Sequence, residues 1–304
     1  MLTNKTIFLL TYMEADFWCE KYPPVEFNKT YGDYHFIMLD NGNQPLMEKW
    51  CEETNTTYYP AEHNIGSSGG YNWIFKVAHL IKCPRAVLLQ TDVEIIDPNA
   101  LEKLFAPHWK EDEIPFWPQE PRKSWDKHNI GQVYNLGQFF SFDPYYIVYN
   151  NLLIDENYVV THYDDADVAM RMREFGTKLY NCLLEYPNKD CVSTQNNRVH
   201  CVEGLYNIHH LSSKSTNNHK DWEDYNYDYH RNKWFKDDSH AYSTAFGQTY
   251  PANNIDESTK QELYITDINK SQPHSFRWTN LAYPPYPVEH EVNRFWQMYK
   301  ETYQ

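Results

Sequence analysis

Three short apolar runs constrain this chain more than any other feature: I-F-L-L at 7–10, F-I-M-L at 36–39 and A-V-L-L at 86–89. None of them alternates with polar residues, so as strands they keep no face for water. That is the pattern of a mainly parallel sheet covered by helices on both sides. Ahead of the third run, Ile74, Val77, Ala78 and Ile81 recur at i, i+3, i+4 and i+7, which makes one helical stripe. Ser67 and Ser68 are placed to cap that helix, and Cys83-Pro84 stops it before the strand. A strand–helix–strand unit of an α/β domain follows.

Beyond it, Asp97-Pro98 opens a helix that carries Leu101, Leu104 and Phe105. Residues 106–130 lose periodicity among four prolines and read as a long functional loop or an irregular subdomain. A second helix is predicted over Asp165 to Phe175, with Val168, Met172 and Phe175 on one stripe and Gly176 as its stop. After about residue 216 the composition turns to Asn, Asp, Tyr and His. Helical spacing returns only at Val292, Phe295, Trp296 and Tyr299. We therefore expect one α/β domain over 1–216 and a C-terminal extension, 217–304, packing on it.

The 304 residues carry a formal charge of −15, which argues against nucleic acid or an anionic membrane as partner, since both demand a surplus of Lys and Arg. The 17% aromatic content argues against disorder. No apolar run is long enough to span a bilayer and no secretion signal opens the chain, so a cytoplasmic protein is expected. The Asn- and Tyr-rich composition is compatible with a viral or AT-rich genome. Six cysteines without a C-x-x-C pair suggest buried thiols.

Four acid- or amide-bearing clusters follow predicted strands, where open α/β sheets bind ligands. Asp40-Asn41-Gly42-Asn43 ends the second strand, and equally suits an ordinary turn. Asn64-Ile65-Gly66-Ser67-Ser68-Gly69-Gly70 lies at the mouth of a helix. Small residues and the helix N-terminus there suit a phosphate-bearing ligand, although it is neither a P-loop nor a dinucleotide fingerprint. Gln90-Thr91-Asp92-Val93-Glu94 places carboxylates after a strand, where Mg²⁺ or Mn²⁺ could bridge to a diphosphate; a solvated strand-end Asp is the bland alternative. Tyr163-Asp164-Asp165-Ala166-Asp167 opens a helix, where capping competes with general-base chemistry.

In order and spacing, L-D-N-G-N at 39–43, N-I-G-S-S-G-G-Y-N at 64–72, L-L-Q-T-D-V-E at 88–94 and Y-D-D-A-D-V-A-M-R at 163–171 resemble the GT-A glycosyltransferases, most closely the family-2-like, rhamnosyltransferase-like enzymes. The resemblance spans roughly residues 3–215. It implies a Rossmann-like nucleotide-diphospho-sugar transferase fold, a mixed and mainly parallel sheet flanked by helices. It also implies a UDP-, GDP- or dTDP-linked sugar donor, a glycan acceptor, and Mn²⁺ or Mg²⁺.

By that resemblance Asp40, with Thr11 nearby, reads the nucleobase, while Asn64 and the Gly66–Gly70 turn hold the ribose and diphosphate. Asp92 matches the metal-contacting acid. The first Asp of that motif is Gln90 here, so Glu94 is a second candidate ligand. Asp165 matches the catalytic base, with Asp164 in the preceding acidic position. His209 or His210, in N-I-H-H-L-S-S, matches a late His near the diphosphate or metal. The expected function is sugar transfer with inversion. A glycoside hydrolase, or a non-catalytic carbohydrate-binding protein of the same fold, are the alternatives.

Overall fold

The computed structural model describes residues 5–62, 64–95, 99–116, 139–155, 175–181, 208–210 and 288–303, together with Asp164, Asp167, Val168 and Met172. Seven strands form one sheet in the order β3-β2-β1-β4-β7-β6-β8. They are β1 (Thr6–Thr11), β2 (His35–Asp40), β3 (Thr57–Pro60), β4 (Ala86–Gln90), β6 (Glu113–Phe116), β7 (Phe139–Phe142) and β8 (Lys178–Asn181). β1 pairs in parallel with β2 and β4, and β2 with β3; β7 runs antiparallel to both β4 and β6. The sheet is therefore mixed and mainly parallel, as expected.

The apolar runs fill two cores by turns. Phe8, Leu10, Ile37, Leu39, Ala86 and Leu88 face one cluster, while Ile7, Leu9, Phe36, Met38, Val87 and Leu89 face the other. Period-2 alternation with both faces covered is why none of these positions is polar. One layer holds α4 (Gly66–Leu80), α6 (Pro144–Tyr149) and α7 (Val288–Tyr303); the other holds α1 (Ala15–Lys21), α2 (Pro24–Tyr31), α3 (Pro45–Thr54) and α5 (Ala100–Leu104). A separate ribbon pairs β5 (Val93–Ile95) antiparallel with β9 (Ile208–His210).

The C-terminal helix α7 is longer than its four-residue stripe predicted. It packs on α4 and β3, with Phe295 edge-on to Trp73 at 5.0 Å and Tyr59 stacked on Trp73 at 5.2 Å. The stretch expected to be a loop contains β6, whose four residues, one of them Pro115, are too few to show a period. Asp97 and Pro98 lie outside the described residues, and Asn99 is the N-cap of α5. Among the described residues no helix is long and apolar enough to cross a membrane, and Cys19, Cys51 and Cys83 are free thiols.

The glycine run is swallowed by a helix. α4 begins at Gly66, and Ser67 and Ser68 lie in its first turn, behind an Ile65 N-cap that makes no side-chain capping bond. Gly66 has φ +73°, a backbone state that favours glycine. Gly70 serves packing: an added Cβ would lie 2.7 and 2.9 Å from the two methyls of Leu10 on β1. Gly70→Val should therefore cost about 1–3 kcal/mol by overpacking, read as a lower midpoint in denaturant. Ala is the weaker test, because its better helix propensity offsets about 1 kcal/mol of the strain.

Candidate active site

Strand order reverses between β1 and β4. β1 leads outward to β2 and β3, and the chain then returns to the other side of β1 to lay down β4. The carboxyl ends of these two strands form the crevice where sheets of this kind bind ligands. Thr11 ends β1, Asp40 and Asn41 end β2, and Gln90, Thr91 and Asp92 end β4. The parallel ladder continues past β4 through the Thr91 N–H, which donates to the Leu10 carbonyl at 3.1 Å.

The four clusters meet at the opening of α4. Asn41 Nδ2 donates to the Gly66 carbonyl at 3.2 Å, which ties the first cluster to the second. Gln90 Nε2 donates to the Tyr71 hydroxyl at 2.9 Å, which ties the third to the second. Ser68 Oγ donates to Asp164 Oδ2 at 3.2 Å across 96 positions of sequence, which ties in the fourth. Asp92, Asp164 and Asp167 are all buried. Asp165, proposed from sequence as the base, lies outside the described residues.

Several predicted ligand contacts are occupied by the fold itself. Asp40 is fully buried: Oδ1 accepts from the Gly42 N–H at 2.8 Å, and Oδ2 from the Gln44 N–H at 2.7 Å and the Tyr58 hydroxyl at 3.0 Å. Burial first and the Asp40 charge second push the Tyr58 phenol well above its usual range, so it stays a donor to Asp40. Asn64 Oδ1 accepts from the Gly66 N–H at 2.8 Å. Glu94 forms an ion pair with Lys21 of α1.

Other polar atoms at this edge are not used up. Thr11 Oγ1 and Asn41 Oδ1 are buried and have no hydrogen-bond partner among the described residues. Leaving such atoms unpaired costs about 1–3 kcal/mol each, which a bound ligand or water would recover. Sequence reasoning named Thr11 but gave Asn41 no role of its own; its position directly after a buried strand was the available signal.

Asp92 and Glu94 offer the hard oxygen donors that Mg²⁺ and Mn²⁺ prefer. Backbone pairing sets His209 opposite Glu94 and His210 opposite Val93, so both histidines lie on the strand beside this motif. In type these donors suit a divalent cation, with Lys21 as a competing charge at Glu94. The group of three metal-type side chains found among the described residues is Glu62, His290 and Glu291, where the chain leaves β3 and α7 begins. There Glu291 already accepts from Tyr59, Arg294 and the Glu62 N–H, which argues for a structural knot.

No protein-family model matches the sequence, and no curated protein matches it. Among solved structures the chain is similar to a mannosyltransferase of Pyrobaculum calidifontis in complex with GDP-Man and Mn²⁺, at 13% identity over 60% of this chain and 55% of that one, TM-score 0.42. It is similar to S. aureus TarS 1-349 in complex with UDP-GlcNAc, at 14% identity over 57% of this chain and 53% of that one, TM-score 0.42. A third is GalNAc-T7 with UDP, GalNAc and Mn²⁺, at 11% identity over 58% of this chain and 41% of that one, TM-score 0.40. The chain thus spans about half the length of these proteins. The likeness is one of chain course, at identities that carry no residue's role across.

Proposed function

We propose that this protein is a glycosyltransferase that moves a sugar from a nucleotide-sugar donor to a hydroxyl of a glycan acceptor, with inversion. The observation that carries the reading is the convergence on α4. Four polar clusters spread over 125 positions of sequence, from Asp40 to Asp164, are bonded to one another around a single helix N-terminus at the strand-order switch. A helix N-terminus favours an anionic group such as a diphosphate.

In this reading Thr11 and Asn41 supply polar atoms toward the nucleoside, and Asp40 shapes the turn that presents them. The opening turn of α4, with Asn64 and Gly66, faces the diphosphate. Asp92 would hold a divalent cation, helped by Glu94 and by His210 or His209, and the charge supplied there would offset the charge that builds on the departing diphosphate. Asp165 takes the proton from the acceptor hydroxyl as its oxygen attacks the sugar carbon, and Asp164 anchors the helix that carries it. The domain is 1–216, with 217–304 as an extension that returns through α7.

Thermal-shift titration with UDP-, GDP- and dTDP-sugars, with and without Mn²⁺, tests the reading. At a hundred times its Kd the right donor stabilises by about 2.7 kcal/mol, a rise of about 5 °C. Asp92→Asn should abolish the Mn²⁺-dependent part of that rise. A panel with no shift, or an unchanged Mn²⁺ response in the variant, refutes the corresponding assignment. A non-catalytic sugar-nucleotide binder is the second reading, favoured by Gln90, whose amide is engaged with Tyr71 where the motif's first acid would stand. Donor binding without any hydrolysis or transfer would select it.

A further inference from the structure

We infer that one face of α4, Ser68 with Asn72, is a positioning device that holds the acid-bearing helix in register with the donor end of the site. This rests on the glycosyltransfer reading above and adds to it residues that touch neither donor nor acceptor. Ser68 and Asn72 are four apart, so they lie one above the other on the same side of the helix. Asn72 is fully buried and spends both ends of its amide on one peptide: Nδ2 donates to the Ile154 carbonyl at 2.8 Å, and Oδ1 accepts from the Ile154 N–H at 2.8 Å. It pairs with Ile154 as a neighbouring strand would. Ser68, 4% exposed, reaches Asp164, 2% exposed. The two side chains thus grip the chain on either side of 156–163, at Ile154 before it and at Asp164 after it.

Asn72 must be polar because the backbone groups of Ile154 need partners. Stability alone does not call for the Ser68–Asp164 pair, since replacing both side chains of a buried hydrogen bond by apolar groups of the same shape can be nearly neutral. What the polar pairing adds is a fixed distance. The turn of α4 that carries Ser68 is the turn proposed to meet the diphosphate, and Asp164 adjoins the proposed base. A shift in one is therefore transmitted to the other through a single hydrogen bond. Catalysis is sensitive to such placement, because an error of about 1 Å can cost a hundredfold in rate.

Ser68→Val and Ser68→Thr have the same shape and differ in the hydroxyl, so comparing them separates the bond from packing. We expect Val to lower kcat for sugar transfer about tenfold to a hundredfold while leaving the donor KM within about twofold, and Thr to recover most of the loss. Equal kcat in the two variants, or a donor KM that moves as far as kcat, overturns the inference. Hydrogen exchange supplies a readout independent of turnover. Amides at Asp164, Asp167, Val168 and Met172 should exchange faster in the Val variant than in the Thr variant, and identical exchange also overturns it. If the wild-type protein binds no donor while exchange still separates the variants, the glycosyltransfer reading fails and the mechanical link stands.

Discussion

Asp165→Asn is expected to reduce sugar transfer by about 10²–10⁴-fold while donor binding stays near the wild-type level. The amide matches the carboxylate in size but cannot accept the acceptor's proton. Transfer assayed under saturating donor, beside donor affinity by calorimetry, measures the two effects separately. The neighbouring acids sharpen the expectation. Asp164 is buried and receives the Ser68 hydroxyl, and Asp167 is fully buried. A carboxylate spent on the interior is poorly placed to meet a hydroxyl arriving from solvent. Asp164→Asn should therefore cost much less turnover than Asp165→Asn, and more stability. Unchanged turnover in Asp165→Asn would remove the base from the mechanism, and equal losses in the two variants would remove the distinction between them.

The parts of this fold that sequence reveals are those whose pattern is complete within a few residues. The strands β1, β2 and β4 are legible because burial on two faces forbids polar residues outright. The middle of α4 is legible because Ile74, Val77 and Ala78 repeat on one stripe. α2 shows why others are not: its buried residues are Phe27 and Tyr31, a single i, i+4 pair among polar neighbours. β7 could have been found, since F-F-S-F at 139–142 is nearly continuous and is closed by Asp143-Pro144, where the Asp143 side chain accepts from the Tyr146 N–H.

At the site, the polar clusters are legible in the sequence and their partnerships are not. Glycines at 66, 69 and 70 read as a ligand-hugging turn. Gly70, however, is small because Leu10, sixty positions earlier, fills the space. Asp40 looked like a ligand reader, and its carboxylate is held by its own turn and by Tyr58. The same limit hid the grip of Ser68 on Asp164, because no local spacing encodes a bond between distant segments.

The longest-range of these partnerships carries the second large effect, on stability. Arg294→Leu is expected to destabilise the protein by about 3 kcal/mol, lowering its melting temperature by about 5 °C in a calorimetric scan. Glu291 on α7 is fully buried, and its carboxylate accepts from the Tyr59 hydroxyl of β3, from the Glu62 N–H at 3.1 Å and from Arg294 Nη1 at 2.9 Å. Removing Arg294 leaves a buried carboxylate without its counter-charge, the costly way to break such a pair. The value sits at the low end of the usual range because the Arg294 side chain is 40% exposed and partly screened. Replacing all three side chains, as Tyr59→Phe with Glu291→Leu and Arg294→Leu, removes the charge along with its side-chain partners, leaves the Glu62 N–H as the one donor to be resolvated, and should restore most of the loss. A melting point within about 1 °C of wild type in Arg294→Leu would show the knot to be dispensable. The consequence reaches the site, because Val288 at the start of α7 lies against Gly69, where an added Cβ would come within 3.3 Å of its Cγ2. Loosening α7 removes the backing of the α4 turn proposed to receive the diphosphate, so donor affinity should fall in Arg294→Leu and return in the triple variant.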